Sequence, residues 1–248
     1  MTLEQLLLVC STFVVGGIFK GAIGVGAPLI AIPVMAIVVD VPFAVAVFLV
    51  PNIVSNAWQS WRFRKYKPEG YFSQVFAIFG LLGAGVGTLL LVKVTSFVLT
   101  TLISLIILIY VAFKLRNPSW ALKWAVANKL VIPLGTIGGF LQGSTGLSAP
   151  VSVTFMSAVK LRREEFIFTM SLYFFVMTII QFPVQIYLEV MDWERFFYRA
   201  AAVIPLSLGM YAGELLGQKL QKPTLDKAII ALLLMLSLRL LFSNFISL

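Results

Sequence analysis

Apolar segments follow one another from end to end of this 248-residue chain, separated only by short basic stretches or by glycine and proline. No other feature limits the fold as strongly. A bilayer's hydrocarbon core is about 30 Å thick and takes about 20 apolar residues per helical crossing. Ten segments can be marked, near 3–19, 27–39, 42–61, 71–92, 96–113, 124–142, 149–159, 165–188, 196–218 and 225–246. The chain reads as an all-α polytopic membrane protein with no residues left for a soluble domain. Its composition agrees: 60% is hydrophobic and 12% charged, against roughly 45–50% and about 25% in soluble domains. The first run lacks a basic leader and a small-residue cleavage pattern, so it is expected to be a retained helix.

The rarer residues exclude several chemistries. One cysteine, Cys10, leaves no intramolecular disulfide and no cysteine-based metal cluster. Histidine is absent, which removes imidazole metal sites and histidine-based proton relays or nucleophile activation. Clustered intramembrane carboxylates are also missing, so an enzyme is not expected, nor a cofactor or metal. The net charge of +9 sits in short loops between spans, where it reports membrane orientation rather than nucleic-acid binding.

The second and seventh segments have only 13 and 11 residues, or ~20 Å and ~17 Å as helices. Alone they cannot cross. If all ten segments nevertheless cross, with the N-terminus outside, the loops carrying Lys20, Arg62–Lys67, Lys114–Lys129, Lys160–Arg163 and Lys219, Lys222 and Lys227 are all cytoplasmic. Lys93, Arg195 and Arg199 then lie outside, among Asp40, Glu189, Asp192 and Glu194. Letting the two short segments turn back instead puts the bases from Lys160 and Lys219 onward outside. The ten-crossing arrangement obeys the positive-inside tendency better.

Both short segments follow a related string. Residues 16–28 read GGIFKGAIGVGAP and residues 138–150 read GGFLQGSTGLSAP, identical at six of thirteen positions with an offset of 122. Gly83 and Gly87 align with Gly209 and Gly213 at an offset of 126. The chain therefore reads as two homologous halves, 1–118 and 119–248, of five segments each. An odd number per half makes the repeats inverted, and paired Gly/Pro-interrupted short segments in inverted repeats point to a secondary transporter's binding site. Glycine lets the backbone leave the helix and expose N–H groups. Pro28 and Pro150 suit the first turn of a new helix, where a missing N–H costs nothing. Two helix N-termini aimed inward at mid-membrane favour an anion. The competing reading is that the glycines only permit close helix packing.

The paired motif, the five-segment halves and the basic loop RFRKYK at 62–67 resemble the TauE/SafE sulfite exporter family over nearly the whole chain. The resemblance implies transport of sulfur oxyanions or organosulfonates, such as sulfite or sulfoacetate, across a bacterial or archaeal cytoplasmic membrane, in either direction. Carried over by position, the glycine turns are Gly21, Gly24 and Gly26, then Gly143 and Gly146, with Ser148 replacing the third glycine.

Around those turns, Lys20, Val25, Ala27, Gln142, Ser144, Thr145 and Ala149 join the candidate anion contacts. Lys20 could pair with an anion or snorkel to the interface. The hydroxyls of Ser144, Thr145 and Ser148 could donate to the anion or bond their own backbone. Asn52, Asn56 and Gln59 share one face of the third segment. Asn52 and Asn56 are taken as contacts, against interhelical hydrogen bonding as the alternative. Tyr173, Gln181 and Gln185 are weaker candidates. Glu214 is a coupling acid or a surface partner of Lys219, and Arg239 lies deep in the last segment. The glycine pairs at 83/87 and 209/213 fit helix contacts, within the fold or between protomers of a homodimer. A small anion and the bilayer are the expected partners. A passive anion channel is the alternative function, followed by a non-catalytic membrane subunit.

Overall fold

Among the described residues every regular element is helical. The computed structural model describes residues 3–117, 120–190, 196, 199–217, 230–231, 233–239 and 242. Asp192, Glu194, Arg195, Lys219, Lys222 and Lys227 lie outside them. Helix α1 spans Leu3–Ile23, α2 Ala27–Val38, α3 Val41–Arg62, α4 Phe72–Leu91 and α5 Ser96–Arg116. Helix α6 spans Trp124–Thr145, α7 Ala149–Ala158, α8 Arg163–Tyr187 and α9 Val203–Gly217. Residues 230–231, 233–239 and 242 are also helical.

Among the described residues, six helices (α1, α3, α4, α5, α6 and α8) are long and apolar enough to cross a membrane. Large apolar side chains such as Leu7, Ile78, Leu82, Val86, Ile109 and Leu208 face outward. In water they would be a liability; in lipid they are ordinary solvent-facing groups. The protein is a multi-pass helical membrane protein.

Local chemistry sets the helix ends. Asp40 caps α3, its carboxylate accepting from the Phe43 amide at 2.7 Å. Glu165 reaches back from the first turn of α8 to the Arg162 amide at 3.0 Å. Helices α1 and α6 run on to Ile23 and Thr145, past the ends expected at 19 and 142, because neither Lys20 and Gly21 nor Gln142 and Gly143 removes a backbone N–H. The ninth segment, expected from 196, begins its long helix only at Val203, after a turn at Ala202. Pro205 explains the delay, since it cannot donate to the carbonyl of Ala201.

Four glycine pairs hold the bundle together. A Cβ at Gly17 or Gly21 of α1 would run into the Leu206 or Met210 carbonyl oxygen of α9. Reciprocally, one at Gly209 or Gly213 would run into the Val14 or Ile18 carbonyl oxygen. The same pattern joins α6 to α4: Gly139 and Gly143 face the Gly80 and Ala84 carbonyls, and Gly83 and Gly87 face those of Thr136 and Phe140. All four are G-x-x-x-G pairs, which let two backbones approach closely in a membrane. Thus the helix before each glycine string packs on a later or earlier helix that carries its own glycine pair: α1 on α9, and α6 on α4. Helices α3 and α8 pack on each other between these two pairs, α3 also touching α9 and α8 touching α4, with the Ser171 hydroxyl donating to Gln59 Oε1 at 3.2 Å.

Candidate functional site

Both glycine strings interrupt the helices. Gly24 and Gly26 have φ of 86° and 113°, and Gly146 has φ of 74°, a left-handed conformation open to glycine at little cost. Ser148, standing where the first string has Gly26, has φ of −81°, so a serine is tolerated there. Pro28 and Pro150 occupy the first turns of α2 and α7. Gly21 and Gly143 lie inside α1 and α6 and serve the helix contacts described above, not the turns. The breaks are packed alike. A Cβ at Gly24 would strike Ile167 of α8, and one at Gly146 would approach Val45 of α3 as well as Ile32 of α2. Positions 24 and 146, and 45 and 167, both differ by the repeat offset of 122. Ile32 lies five residues into α2, so its contact with Gly146 brings the two breaks within roughly 15 Å of each other.

Their polar surroundings differ. Lys20, one turn before the first break, is only 2% exposed. Its Nζ donates to Asn56 Oδ1 at 2.7 Å. The Asn56 amide in turn donates to Asn52 Oδ1 at 2.6 Å and to the Asn52 carbonyl at 2.8 Å. No carboxylate pairs with Lys20 among the described residues. An ammonium carries three donors and no acceptor, and a buried charge without an opposite partner is costly. The three residues read separately in the sequence thus form one buried chain beside the first break. The Gly26 N-cap of α2 has no side-chain cap. Val25, Gly26 and Ala27 are buried, and no side chain among the described residues accepts from their amides.

At the second break, Gln142 stands where the first has Lys20. Its Oε1 accepts from the Ser148 amide at 3.3 Å, and Thr145 Oγ1 accepts from Leu147 N at 3.3 Å. Side chains therefore cap the amides that the first break leaves bare. The hydroxyls are engaged too: Ser144 donates to the Phe140 carbonyl at 2.9 Å and Thr145 to that of Leu141 at 2.7 Å. Ser148 donates to Ser152 Oγ at 3.0 Å. Tyr173, fully buried, stacks on Phe76 with ring centroids 4.0 Å apart and donates to the Gly135 carbonyl at 2.9 Å. Ala149 is buried in the apolar core.

A cleft of about 520 Å³ leads toward the first break from the helix ends that carry the bases. Its lining includes Gly21, Ser55, Gln59, Arg62, Arg163 and Glu214. Arg163 donates to the Ala22 carbonyl at 3.1 Å, next to the break. Glu214 accepts two hydrogen bonds from the Arg62 guanidinium, at 3.1 and 2.5 Å, so its partner is Arg62; Lys219 lies outside the described residues. Nothing local in the sequence links two residues 152 positions apart. Arg239 is exposed on the bundle's outer surface.

The family model described as sulfite exporter TauE/SafE matches residues 8–240. No curated protein and no solved structure matches the chain.

Proposed function

Because the chain belongs to the sulfite exporter TauE/SafE family, a family of membrane transporters for sulfur-containing anions, we propose that it is a secondary transporter whose substrate, sulfite or a small organosulfonate, is held at the first glycine break. The observation that carries this reading is Lys20: a buried lysine nitrogen whose hydrogen-bond partner among the described residues is a neutral amide, beside bare amides at a helix N-terminus. A small oxyanion supplies the missing negative charge and accepts from both sets of donors. The second break contributes the facing wall and the α7 dipole.

The halves 1–118 and 119–248 act as inverted repeats that rock against each other, giving access to alternate faces. The reciprocal packing of α1 on α9 and α6 on α4 supports this, as do the matched contacts of Gly24 with Ile167 and Gly146 with Val45. The N-terminus lies outside a bacterial or archaeal cytoplasmic membrane, and the cleft bounded by Arg62 and Arg163 opens to the cytoplasm. A singly charged anion leaving a cell at −100 mV gains about 2.3 kcal/mol, so export requires no further coupling; uptake requires co-transported cations. Glu214 lies at the cleft but is committed to Arg62 in a partly exposed ion pair, so it is assigned a surface role and not coupling.

The test is uptake of labelled sulfite, sulfate, sulfoacetate and taurine into proteoliposomes, with and without a pH gradient. Saturable uptake with counterflow of sulfite or an organosulfonate is expected. Unsaturable flux without counterflow indicates a channel and refutes the carrier reading. Absence of flux for every anion refutes the function.

A further inference from the structure

Gln185 is fully buried near the end of α8, and among the described residues neither its amide nitrogen nor its amide oxygen has a hydrogen-bond partner. One turn earlier on the same face, Gln181 is also fully buried. Its Nε2 donates to the Gln142 carbonyl at 3.4 Å, and its Oε1 has no partner. Three unpartnered amide atoms thus lie buried within one helical turn, although buried polar groups are normally hydrogen-bonded. Leucine at both positions would avoid the penalty, so a structural role does not explain the glutamines.

Their place in the repeat gives the reason. Subtracting the offset of 122 takes Gln181 to Gln59 and Gln185 to Phe63, both of which line the cleft beside Arg62. Val176 and Met177 map in the same way onto Val54 and Ser55, also in its lining. Arg163, at the start of α8, borders that cleft; Gln185 lies 22 residues further on, about 33 Å away along the helix. The counterpart of the cleft is therefore at the opposite end of the bundle, and here it is covered. The Val190 amide donates to the Gln185 carbonyl at 3.0 Å, and Phe196 packs edge-on against Phe182 with ring centroids 6.4 Å apart.

We infer that Gln181 and Gln185 line a second access path for the transported anion, on the outer face and closed in this structure, that leads past the second glycine break to the anion site at the first. When it opens, the amide nitrogens donate to the anion and the amide oxygens accept from its hydration water. This rests on the transporter reading above, and it assigns the outer half of the path to named residues.

The test uses a Cys10→Ser background carrying Gln185→Cys, with Ile179→Cys, a lipid-facing position on α8, as the control. Intact cells are treated from outside with a membrane-impermeant, charged methanethiosulfonate. The minor state of a two-state protein is commonly populated at about 0.1–10%, so exposure for hours modifies even a rarely opened path. Full modification of Gln185→Cys with background modification of Ile179→Cys is expected; background at both overturns the inference. A second variant, Gln185→Leu, is expected to lower transport while leaving the thermal midpoint unchanged or raised, and a lowered midpoint refutes the path by revealing a structural role. A protein that transports while Gln185→Cys stays unmodified refutes only the second path. Modification without transport refutes only the function.

Discussion

The two glycine breaks share a backbone device and differ in what surrounds it. Each ends a long helix in a left-handed glycine, each starts a short helix with a proline in its first turn, and each packs on one of the paired helices, the first on α8 and the second on α3. Yet the second caps its own amides with Gln142 and Thr145, whereas the first has Lys20 and Ile23 at those places. Lysine cannot accept and isoleucine has no polar atom. A change of side chain at two matched positions turns a self-satisfied turn into a set of donors in need of an acceptor. On the proposed reading, the anion therefore belongs to the first break while the second supplies shape.

The largest expected effect tests what the breaks have in common. Gly24→Leu and Gly146→Leu each place a side chain in left-handed backbone against Ile167 or Ile32. Both are expected to abolish transport in proteoliposomes while the protein still inserts; normal transport in both breaks the shared device. Next comes the difference itself. Lys20→Gln makes the first break resemble the second and removes charged hydrogen bonding worth about 1.5–3 kcal/mol, so sulfite affinity is expected to fall about 10- to 150-fold. Gln142→Leu removes a cap but no charge and is expected to change affinity far less.

Asn56→Ala leaves the buried Lys20 ammonium without its partner. The expected cost is about 1–3 kcal/mol of stability, read as a lower thermal midpoint, with sulfite restoring part of it by binding the folded state. An unchanged midpoint argues against the buried chain. The Arg62–Glu214 pair is 42% and 34% exposed at its side chains, and exposed pairs contribute about 0.2–1 kcal/mol. Glu214→Gln is therefore expected to shift transport rates no more than about fivefold at low salt. A larger loss that persists in high salt marks Glu214 as the coupling acid. Ser144→Ala, which removes a hydroxyl bonded within its own helix, is expected to leave transport unchanged.

Much of the architecture was legible because it follows from local physics. Apolar run length placed the six long helices found among the described residues, and glycine followed by proline placed both breaks. The helix ends at α1 and α6 were drawn too early because a lysine or a glycine looks like an interruption, although neither removes a hydrogen bond. The site was legible as a neighbourhood but not as a circuit. The lysine's amide partner lies 36 residues away, and the acid of the cleft lies 152 residues from its arginine. The closure of Ser144 and Thr145 onto their own carbonyls depends on side-chain rotation that a string of letters does not record. Gly21 and Gly143 sit in the same strings as the turn glycines, and only their close contact with opposing carbonyls separates the two roles.

Calorimetric titration of sulfite onto the purified protein and onto its Lys20→Gln and Gln142→Leu variants, at one salt concentration, tests most directly whether the anion belongs to the first break. Binding weakened at least about tenfold by Lys20→Gln, and nearly preserved by Gln142→Leu, is the expected result. Equal affinity in the protein and its Lys20→Gln variant, or a loss confined to Gln142→Leu, would contradict it.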